Sequence, residues 1–392
     1  MRATARRVLN TLRVSGPLWT ASLVLDRVVP TGLLDRWPDR TVSPGALATQ
    51  VGAILRAWGM SEEHASITTD HLLYADLRGI DSHGCSMLLH YHRGLADSSL
   101  TMTPAIEVVR ESETTALADG GGGLGHVPAD MAMRLAIAKC RSAGVGAVAV
   151  RNSGHFGAAG VYAALAAEAG FIGLATTSTQ TPALVPTFGT EAMLGTNPIA
   201  FAAPAARNRP FLLDMATSTA SLGKLTLAQR RGRSIPAGWA VDPEGKPVTS
   251  GRLAARHRRL TPLGSSPDLG SHKGYGLAAM VEILASLMPG SRPGRGAARP
   301  GHFFLALDPR RFRSEGELEA DLDALVDSLH ASKPIDPGRP VLVPGDPEEA
   351  AYAERSRSGI PLSRSVVEDL RVVARAAGVP FLLDAGARRS RA

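Results

Sequence analysis

Residues 152–157 read Asn-Ser-Gly-His-Phe-Gly, and residues 79–84 read Gly-Ile-Asp-Ser-His-Gly. In each stretch a histidine stands within two residues of a serine, and each stretch contains two glycines. Histidine titrates near neutral pH, so it can give or take a proton during a reaction. Glycine lets the backbone turn sharply and approach a ligand closely. Two such stretches in one chain predict that His83 and His155 line the same pocket.

The sequence on both sides of residues 152–157 alternates between short apolar strands and helices with apolar periodicity. This alternation predicts a layered α/β domain. The 152–157 stretch then follows directly on a buried strand. The predicted strands cover residues 115–118, 146–150 and 171–176, and the predicted helices cover residues 127–143 and 161–169.

The residues before this domain predict a helical region. Ser61 precedes two glutamates in a helix-capping pattern, and the predicted helix continues through Leu73. Ser82 is expected to cap the next helix, which carries Tyr91. The region after the α/β domain is expected to be mixed, with residues 224–262 mostly loop because glycine and proline interrupt them. Further strands are expected at residues 303–307 and 340–343, and further helices at 273–287, 317–331 and 363–377.

The composition excludes several classes of protein. The 43 basic and 36 acidic side chains give a net charge of +7, and much of the excess lies in arginine-rich stretches. No aromatic residues interleave with these stretches, which favours solvated loops over a nucleic-acid surface. Cys85 and Cys140 are too few for a disulfide scaffold or a cysteine-based zinc site, and no metal site is expected. No apolar run reaches the roughly 18 residues of a membrane helix, so we expect a cytoplasmic protein without membrane partners.

Residues 120–125, Gly-Gly-Gly-Gly-Leu-Gly, match the dinucleotide-binding pattern G-x-G-x-x-G. The pattern follows a predicted strand and opens a predicted helix, as in a Rossmann fold. However, the next strand ends at Arg151 and Asn152, where the ribose-binding acid is missing. His126 also stands where the phosphate-binding helix begins. A Rossmann protein, for instance a methyltransferase, is therefore an alternative that the sequence disfavours.

Three more motifs follow in the chain. Residues 195–201 read Gly-Thr-Asn-Pro-Ile-Ala-Phe, residues 213–218 read Leu-Asp-Met-Ala-Thr-Ser, and residues 272–277 read His-Lys-Gly-Tyr-Gly-Leu. Taken in order with the two histidine stretches, they resemble the malate/L-lactate dehydrogenase family. That family also contains ureidoglycolate, sulfolactate and diketogulonate dehydrogenases and an imino-acid reductase. The resemblance runs from about residue 45 to residue 375 and includes the landmarks at residues 235–239, 262–264 and 344–346.

This resemblance implies an NAD- or NADP-dependent oxidoreductase that acts on a small 2-hydroxy acid, 2-oxo acid or imino acid. It implies a mixed-sheet, non-Rossmann cofactor domain with a helical N- and C-terminal domain, and a homodimer. By resemblance, His83 is the proton donor and His155 a catalytic acid or base. The residues expected at the substrate are Ser82, Tyr91, Asn152 and Lys273. The residues expected at the cofactor are Thr179, Leu213, Asp214, Met215, Ala216, Thr217, Ser218, Leu263, Gly264, Pro344, Gly345 and Asp346.

The chain then divides into four predicted segments. Residues 1–40 form an N-terminal extension outside the resemblance, and residues 41–110 a helical region on the substrate side. Residues 111–310 form the α/β cofactor-binding and catalytic domain. Residues 311–380 form a C-terminal helical region that packs with residues 41–110.

One position departs from the family. Many members read Ser-His-Gly-Val-x-Arg, in which the arginine is thought to bind the substrate carboxylate, but here that position is Met87. A thioether cannot form an ion pair with a carboxylate. Either His90, Tyr91 or Arg93 compensates further along the helix, or the substrate is larger or less anionic. A family member that has lost catalysis and acts as a binding protein is a second alternative.

Overall fold

The structure, a computed structural model, describes residues 40–179, 181–230, 232–291 and 299–384. The predicted N-terminal extension lies outside the described residues except for Arg40. The strands are β1 Arg40–Val42, β2 Glu107–Glu111, β3 Thr115–Asp119, β4 Val145–Arg151, β5 Ile172–Thr177, β6 Ile199–Ala203, β7 Phe211–Met215, β8 His302–Leu307 and β9 Ile360–Leu362. The α-helices are α1 Pro44–Ala57, α2 Glu62–Leu77, α3 Leu88–Ala96, α4 His126–Ala143, α5 Gly160–Glu168, α6 Leu222–Arg230, α7 Gly251–His257, α8 Ser271–Glu282, α9 Glu317–His330, α10 Asp346–Ser358 and α11 Arg364–Ala376.

A seven-stranded mixed sheet forms the centre of the molecule, in the order β2-β3-β4-β8-β5-β6-β7. β3 and β4 are parallel, and the other neighbouring strands are antiparallel. Because β8 runs antiparallel to both β4 and β5, those two strands point the same way. Their carboxyl ends and the amino end of β8 therefore meet at one edge of the sheet. The expected mixed-sheet α/β fold is confirmed.

Small side chains bring two helices close to this sheet. α4 packs over β4 and β8, and α5 packs over β5 and β6. Alanines such as Ala132, Ala136 and Ala163 fill the core between the layers. A Cβ added at Gly146 in β4 would lie 2.0 Å from the carbonyl oxygen of Ala136. This strand position consequently accepts glycine alone without a shift of α4.

A second core joins the two ends of the described chain. β1 pairs with β9, with Arg40 opposite Leu362. Side chains from α1, α2, α3 and α11, including Leu47, Leu72 and Val367, are buried in one cluster. Ser61 caps α2 as expected, since its hydroxyl accepts a hydrogen bond from the His64 amide at 3.2 Å. No helix among the described ranges is both long and apolar enough to cross a membrane.

A third, smaller core lies in the segment between β7 and α8, which we call the cap. Its buried side chains include Leu225, Ile235, Val248 and Leu260. The expectation that residues 224–262 are mostly loop is confirmed, although the short helices α6 and α7 flank this core. Glycine and proline in this segment end short helices but do not prevent them.

The C-terminal region differs from the sequence expectation at two places. Residues 340–343 are not a strand, since the Val343 amide donates to the Asp346 carboxylate at 2.7 Å and not to a neighbouring strand. α10 was not expected, because its sequence is charged and none of its residues is buried. Apolar periodicity, the main sequence signal for a helix, is absent where a helix buries so little.

We expect Gly146→Ala to lower the free energy of unfolding by about 1–3 kcal/mol, the usual penalty for forcing a methyl group into a close-packed interior. Gly276→Ala in α8 is the control, since its Cβ meets nothing within 4 Å. That control should be neutral, or more stable by up to about 1 kcal/mol. Urea unfolding of both variants measures the difference. Equal midpoints for the two variants would contradict the close approach of α4 and β4.

Candidate active site

A cavity of about 430 Å³ opens at the edge where β4 and β5 end and β8 begins. We call it the histidine cavity. Its walls come from the 82–91 loop and helix, the turn at 153–157, the segment after β5, the start of the cap, and Arg258 and Arg299. The ends of β4 and β5 thus supply one wall of the cavity, and the loop and helix at residues 82–91 supply another.

His83 and His155 lie in contact in this cavity. Their rings stack with centroids 5.5 Å apart and an interplanar angle of 24°. His155 Nδ1 lies 2.8 Å from the Tyr91 hydroxyl and 3.3 Å from the Gly157 amide nitrogen. A backbone amide can only donate, so Nδ1 of His155 is an acceptor, and the neutral ring carries its proton on Nε2.

His83 has a different hydrogen-bonding arrangement. Its Nδ1 lies 2.8 Å from the Ser82 hydroxyl, which can accept a hydrogen bond from an Nδ1 proton. In that tautomer Nε2 keeps a lone pair and can take a proton. In that tautomer His83 would offer an acceptor beside the Nε2 donor of His155.

Both histidines are held in the neutral form. Burial lowers the pKa of His83. Burial also lowers the pKa of His155 well below the ordinary value of 6.5, with further contributions from His83, His90 and His302. Two imidazolium rings in stacking contact would repel each other, so the pair binds at most one proton readily.

His302, the first residue of β8, ties the cavity edge together and was not found from the sequence. Its ring contacts the Ser153 hydroxyl through Nε2 at 2.8 Å and the Thr177 hydroxyl through Nδ1 at 2.7 Å. The ring also stacks on Phe156 with centroids 4.7 Å apart. Burial lowers the pKa of His302 to about 3, so the ring is neutral. The sequence gives only a weak signal for this role of His302, because a single histidine at the start of an apolar strand is not distinctive.

The loop that carries His83 is anchored from beneath by Asp76. The Asp76 carboxylate accepts a hydrogen bond from the Cys85 amide at 2.8 Å. A Cβ at Gly84 would lie 1.9 Å from this carboxylate, so glycine is required there. Burial raises the pKa of Asp76 to about 7. Burial, and then the neighbouring Asp76, also raise the pKa of the Cys85 thiol, which makes it a poor nucleophile.

The expectation that Ser82 caps the following helix is wrong. A 3₁₀ turn, Cys85–Met87, intervenes, and α3 begins at Leu88 without a side-chain cap. The Ser82 hydroxyl instead contacts His83. The contact with Asp76 explains why the helix starts later than expected. It holds Gly84 and Cys85 in a conformation that does not continue a helix from Ser82.

The structure brings some of the expected substrate residues together and not others. Ser82 and Tyr91 line the histidine cavity with the histidine pair. Asn152 does not, because its side-chain amide donates to Asp119 at 2.7 Å. Lys273 is exposed on α8 and is not among the lining residues.

The expected cofactor residues fall into three groups. Thr179 lines the histidine cavity. Residues 344–346 line a second cavity of about 560 Å³, together with Phe211 and Leu212, which we call the hairpin cavity. The residues that line neither cavity are Leu213, Asp214, Met215, Ala216, Thr217, Ser218, Leu263 and Gly264.

The β6–β7 hairpin connects the two cavities. Pro198, before β6, lines the histidine cavity, and Ala202, near its other end, lines the hairpin cavity. Near the end of β7, the Asp214 carboxylate accepts a hydrogen bond from the Gly160 amide at 2.7 Å. Burial raises the pKa of Asp214 to about 6. Beyond β7, the Leu263 amide donates to Thr217 O at 3.0 Å, so this segment is held by backbone contacts.

The glycine-rich loop at residues 120–125 is filled by protein. A Cβ at Gly121 would lie 2.5 Å from Ala105 O, and one at Gly125 would lie 2.4 Å from Gly154 O. A dinucleotide-binding turn needs glycines so that phosphate can approach the backbone. Here other backbone segments occupy that space, which argues against the Rossmann alternative.

Comparisons with known proteins identify the family of the chain. A family model for malate/L-lactate dehydrogenase matches residues 42–371. Malate dehydrogenase of Pyrococcus horikoshii is 39% identical over 337 residues, which cover 84% of this chain and 93% of that protein. L-sulfolactate dehydrogenase of Methanothermobacter thermautotrophicus is 38% identical over 344 residues, with 85% and 96% covered. The crystal structure of malate dehydrogenase from Entamoeba histolytica matches with a TM-score of 0.84 at 31% identity and covers 88% of this chain and 99% of that one. The chain belongs to the malate/L-lactate dehydrogenase family.

Proposed function

We propose that the protein is an NAD- or NADP-dependent dehydrogenase that interconverts a 2-hydroxy acid and its 2-oxo acid, or a related imino acid. The observation that carries this proposal is the stacked pair of His83 and His155, two titratable rings in contact in the same cavity. The names of relatives, malate and L-sulfolactate dehydrogenase, support a hydroxy acid as the substrate class.

The two histidines have different proposed roles. The nicotinamide, when bound, supplies or accepts the hydride. His155 donates its Nε2 hydrogen bond to the reacting oxygen and so stabilises charge that develops there, as neutral histidines do in other enzymes. His83 takes the proton from the hydroxyl during oxidation and returns it during reduction. Tyr91 and Ser82 hold the two rings in the required tautomers.

The residues between the two cavities fit a nicotinamide dinucleotide. The segment after β5, including Thr179 and Thr181, offers uncharged hydroxyl and backbone groups that suit a carboxamide. The five-residue strands of the hairpin span about 13 Å, at about 3.3 Å per residue step. We propose that the cofactor lies along this hairpin, with residues 213–218 beside it, residues 263–264 supporting it and residues 344–346 at its far end.

The proton-transfer role predicts the behaviour of His83→Gln. We expect kcat to fall by roughly 10² or more, the lower range for general acid–base catalysis. In the wild type, kcat/KM for oxidation should decline only below about pH 6.5, because a lowered pKa keeps His83 neutral to lower pH. This acidic limb should disappear in the variant. Steady-state rates across pH, read from nicotinamide absorbance, measure both effects.

The matched control is His272→Gln, which changes an exposed histidine of α8 outside the cavity. Its rates should equal those of the wild type. A His83→Gln variant with normal kcat and only a raised KM would show that His83 binds substrate but transfers no proton.

The cofactor position predicts a pattern of hydrogen exchange. On addition of NADH or NADPH, amides at 213–218 and 345–346 should exchange more slowly, because a bound ligand excludes solvent and restrains local opening. Mass spectrometry of proteolytic fragments measures this protection. Protection confined to residues 120–130 would instead support a cofactor at the glycine-rich loop and overturn the placement along the hairpin.

We further propose a homodimer, as the family resemblance implies. Met280, Ile283 and Leu287 are spaced three and four residues apart at the end of α8 and in the π-helical turn after it. They are 38%, 54% and 54% exposed. Exposed apolar side chains that lie together are typical of association surfaces.

Light scattering tests this assembly. The wild type should have twice the chain mass of 41.0 kDa. Ile283→Asp should shift the protein toward monomer, because a carboxylate in an apolar interface is costly to desolvate. A wild-type protein that has the mass of one chain at micromolar concentration would rule out a stable dimer.

A further inference from the structure

Arg258 follows α7 in a backbone conformation that does not suit arginine. Its φ is 53°, in the left-handed region, and its amide donates to Ala254 O at 2.9 Å as the helix ends. Glycine is the usual residue at such a helix end, because a side chain adds strain there. The fold by itself therefore gives no reason for an arginine at this position. Strained residues of this kind gather at ligand-binding sites.

The Arg258 side chain lines the histidine cavity. Across the described ranges, its guanidinium has no carboxylate within ion-pair distance and no hydrogen-bond acceptor. Its neighbours differ in this respect. Arg259 donates to Asp242 O at 3.5 Å, and Arg299, the other arginine of the cavity, donates to Gly122 O at 2.5 Å. Among the residues that the structure describes, nothing thus occupies the donors of Arg258, and a ligand can take them.

Arg258, on the cap, lines the same cavity as the histidine pair. The start of α6 lies against the loop that carries His83, since a Cβ at Gly223 would come within 3.2 Å of Ser82 Cβ. The cap therefore adjoins this loop at the edge of the cavity. On the loop side, Met87 contributes an uncharged thioether, and the two histidines are neutral.

We propose that Arg258 binds the substrate carboxylate and thereby selects acids that carry a carboxylate next to the reacting carbon. A guanidinium presents paired N–H groups that match the two oxygens of a carboxylate. Such a pair fixes the 2-oxo or 2-hydroxy group relative to the histidines. This inference rests on the proposed dehydrogenase function and adds the residue that holds the substrate carboxylate in place of the usual arginine at position 87.

The test compares Arg258→Gly with Arg256→Ala. Glycine suits a φ of 53°, so Arg258→Gly should melt no lower than the wild type, and any loss of binding is not a loss of folding. Arg256 lies in the last turn of the same helix, is exposed and does not line the cavity. Two assays are run on each protein. One titrates oxalate by calorimetry, and the other follows reduction of pyruvate, oxaloacetate and methyl pyruvate with NADH and with NADPH.

We expect Arg258→Gly to weaken oxalate binding about ten- to a hundredfold, the range of a charge-assisted hydrogen-bonded pair. Its kcat/KM for the best 2-oxo acid should fall by a similar factor, mainly through KM. Methyl pyruvate lacks the charge, so its kcat/KM should not change. Arg258→Lys should regain part of the affinity, and Arg256→Ala should match the wild type.

Unchanged oxalate affinity in Arg258→Gly overturns the proposal. So does an equal loss in Arg256→Ala, an equal loss on methyl pyruvate, or a wild type that does not bind oxalate. A wild type that reduces none of these acids with either cofactor counts against the proposed function instead. In that case the oxalate titration still decides whether Arg258 is a carboxylate site, so the two failures are distinguishable.

Discussion

The pairing of β8 between β4 and β5 is the constraint on which the site depends. Val150 and Thr177, from strands that precede β8 by more than a hundred residues, both lie directly opposite His302. This register sets the turn after β4, the segment after β5 and the approach to β8 side by side. The hydrogen bonds of the buried His302 ring to Ser153 and Thr177 then connect the three chain segments where hydrogen bonding between the strands ends. Because the ring is neutral, these contacts do not require a counter-charge in the core.

The loop that carries His83 depends on a second set of polar contacts. Arg355 of α10 donates to Asp76 O at 2.6 Å and to the Asp81 carboxylate at 2.5 Å. The Asp76 side chain in turn holds the Cys85 amide. A carboxyl group whose pKa is about 7 is partly protonated near neutrality, which lessens the penalty of burying its charge. The His83 loop is thus fixed at both ends by contacts with α2 and α10. These contacts hold His83 against His155 although His83 lies in a loop and not in a helix.

The sequence predicted the local elements better than the long-range arrangement. Residues 146–150 and 303–307 are short apolar runs, and both form strands as expected. That the second of these lies beside the first is a non-local pairing with no local sequence signal. The same limit applies to side chains. Asn152 was expected at the substrate, but its backbone has a φ of 51° and its amide pairs with Asp119. Arg258 belongs to an arginine-rich stretch that looked like a solvated loop, and the fold of the cap alone brings it to the cavity.

The glycine-rich loop shows that one sequence pattern can either bind a phosphate or pack against another backbone segment. β3, α4 and β4 form a β-α-β unit with parallel strands, and the loop at 120–125 stands where a Rossmann fold binds phosphate. In this chain the loop amides bind protein instead. Gly122 N donates to Asn152 O at 2.8 Å, and Gly125 N donates to His155 O at 2.9 Å. A Cβ at Gly120 would lie 3.0 Å from Ser153 Cβ, and one at Gly125 would lie 2.4 Å from Gly154 O, so glycine at these two positions lets the turn pack against the loop. The sequence pattern that resembles a dinucleotide-binding turn therefore positions His155. The proposed cofactor site lies in the other half of the sheet, along the β6–β7 hairpin.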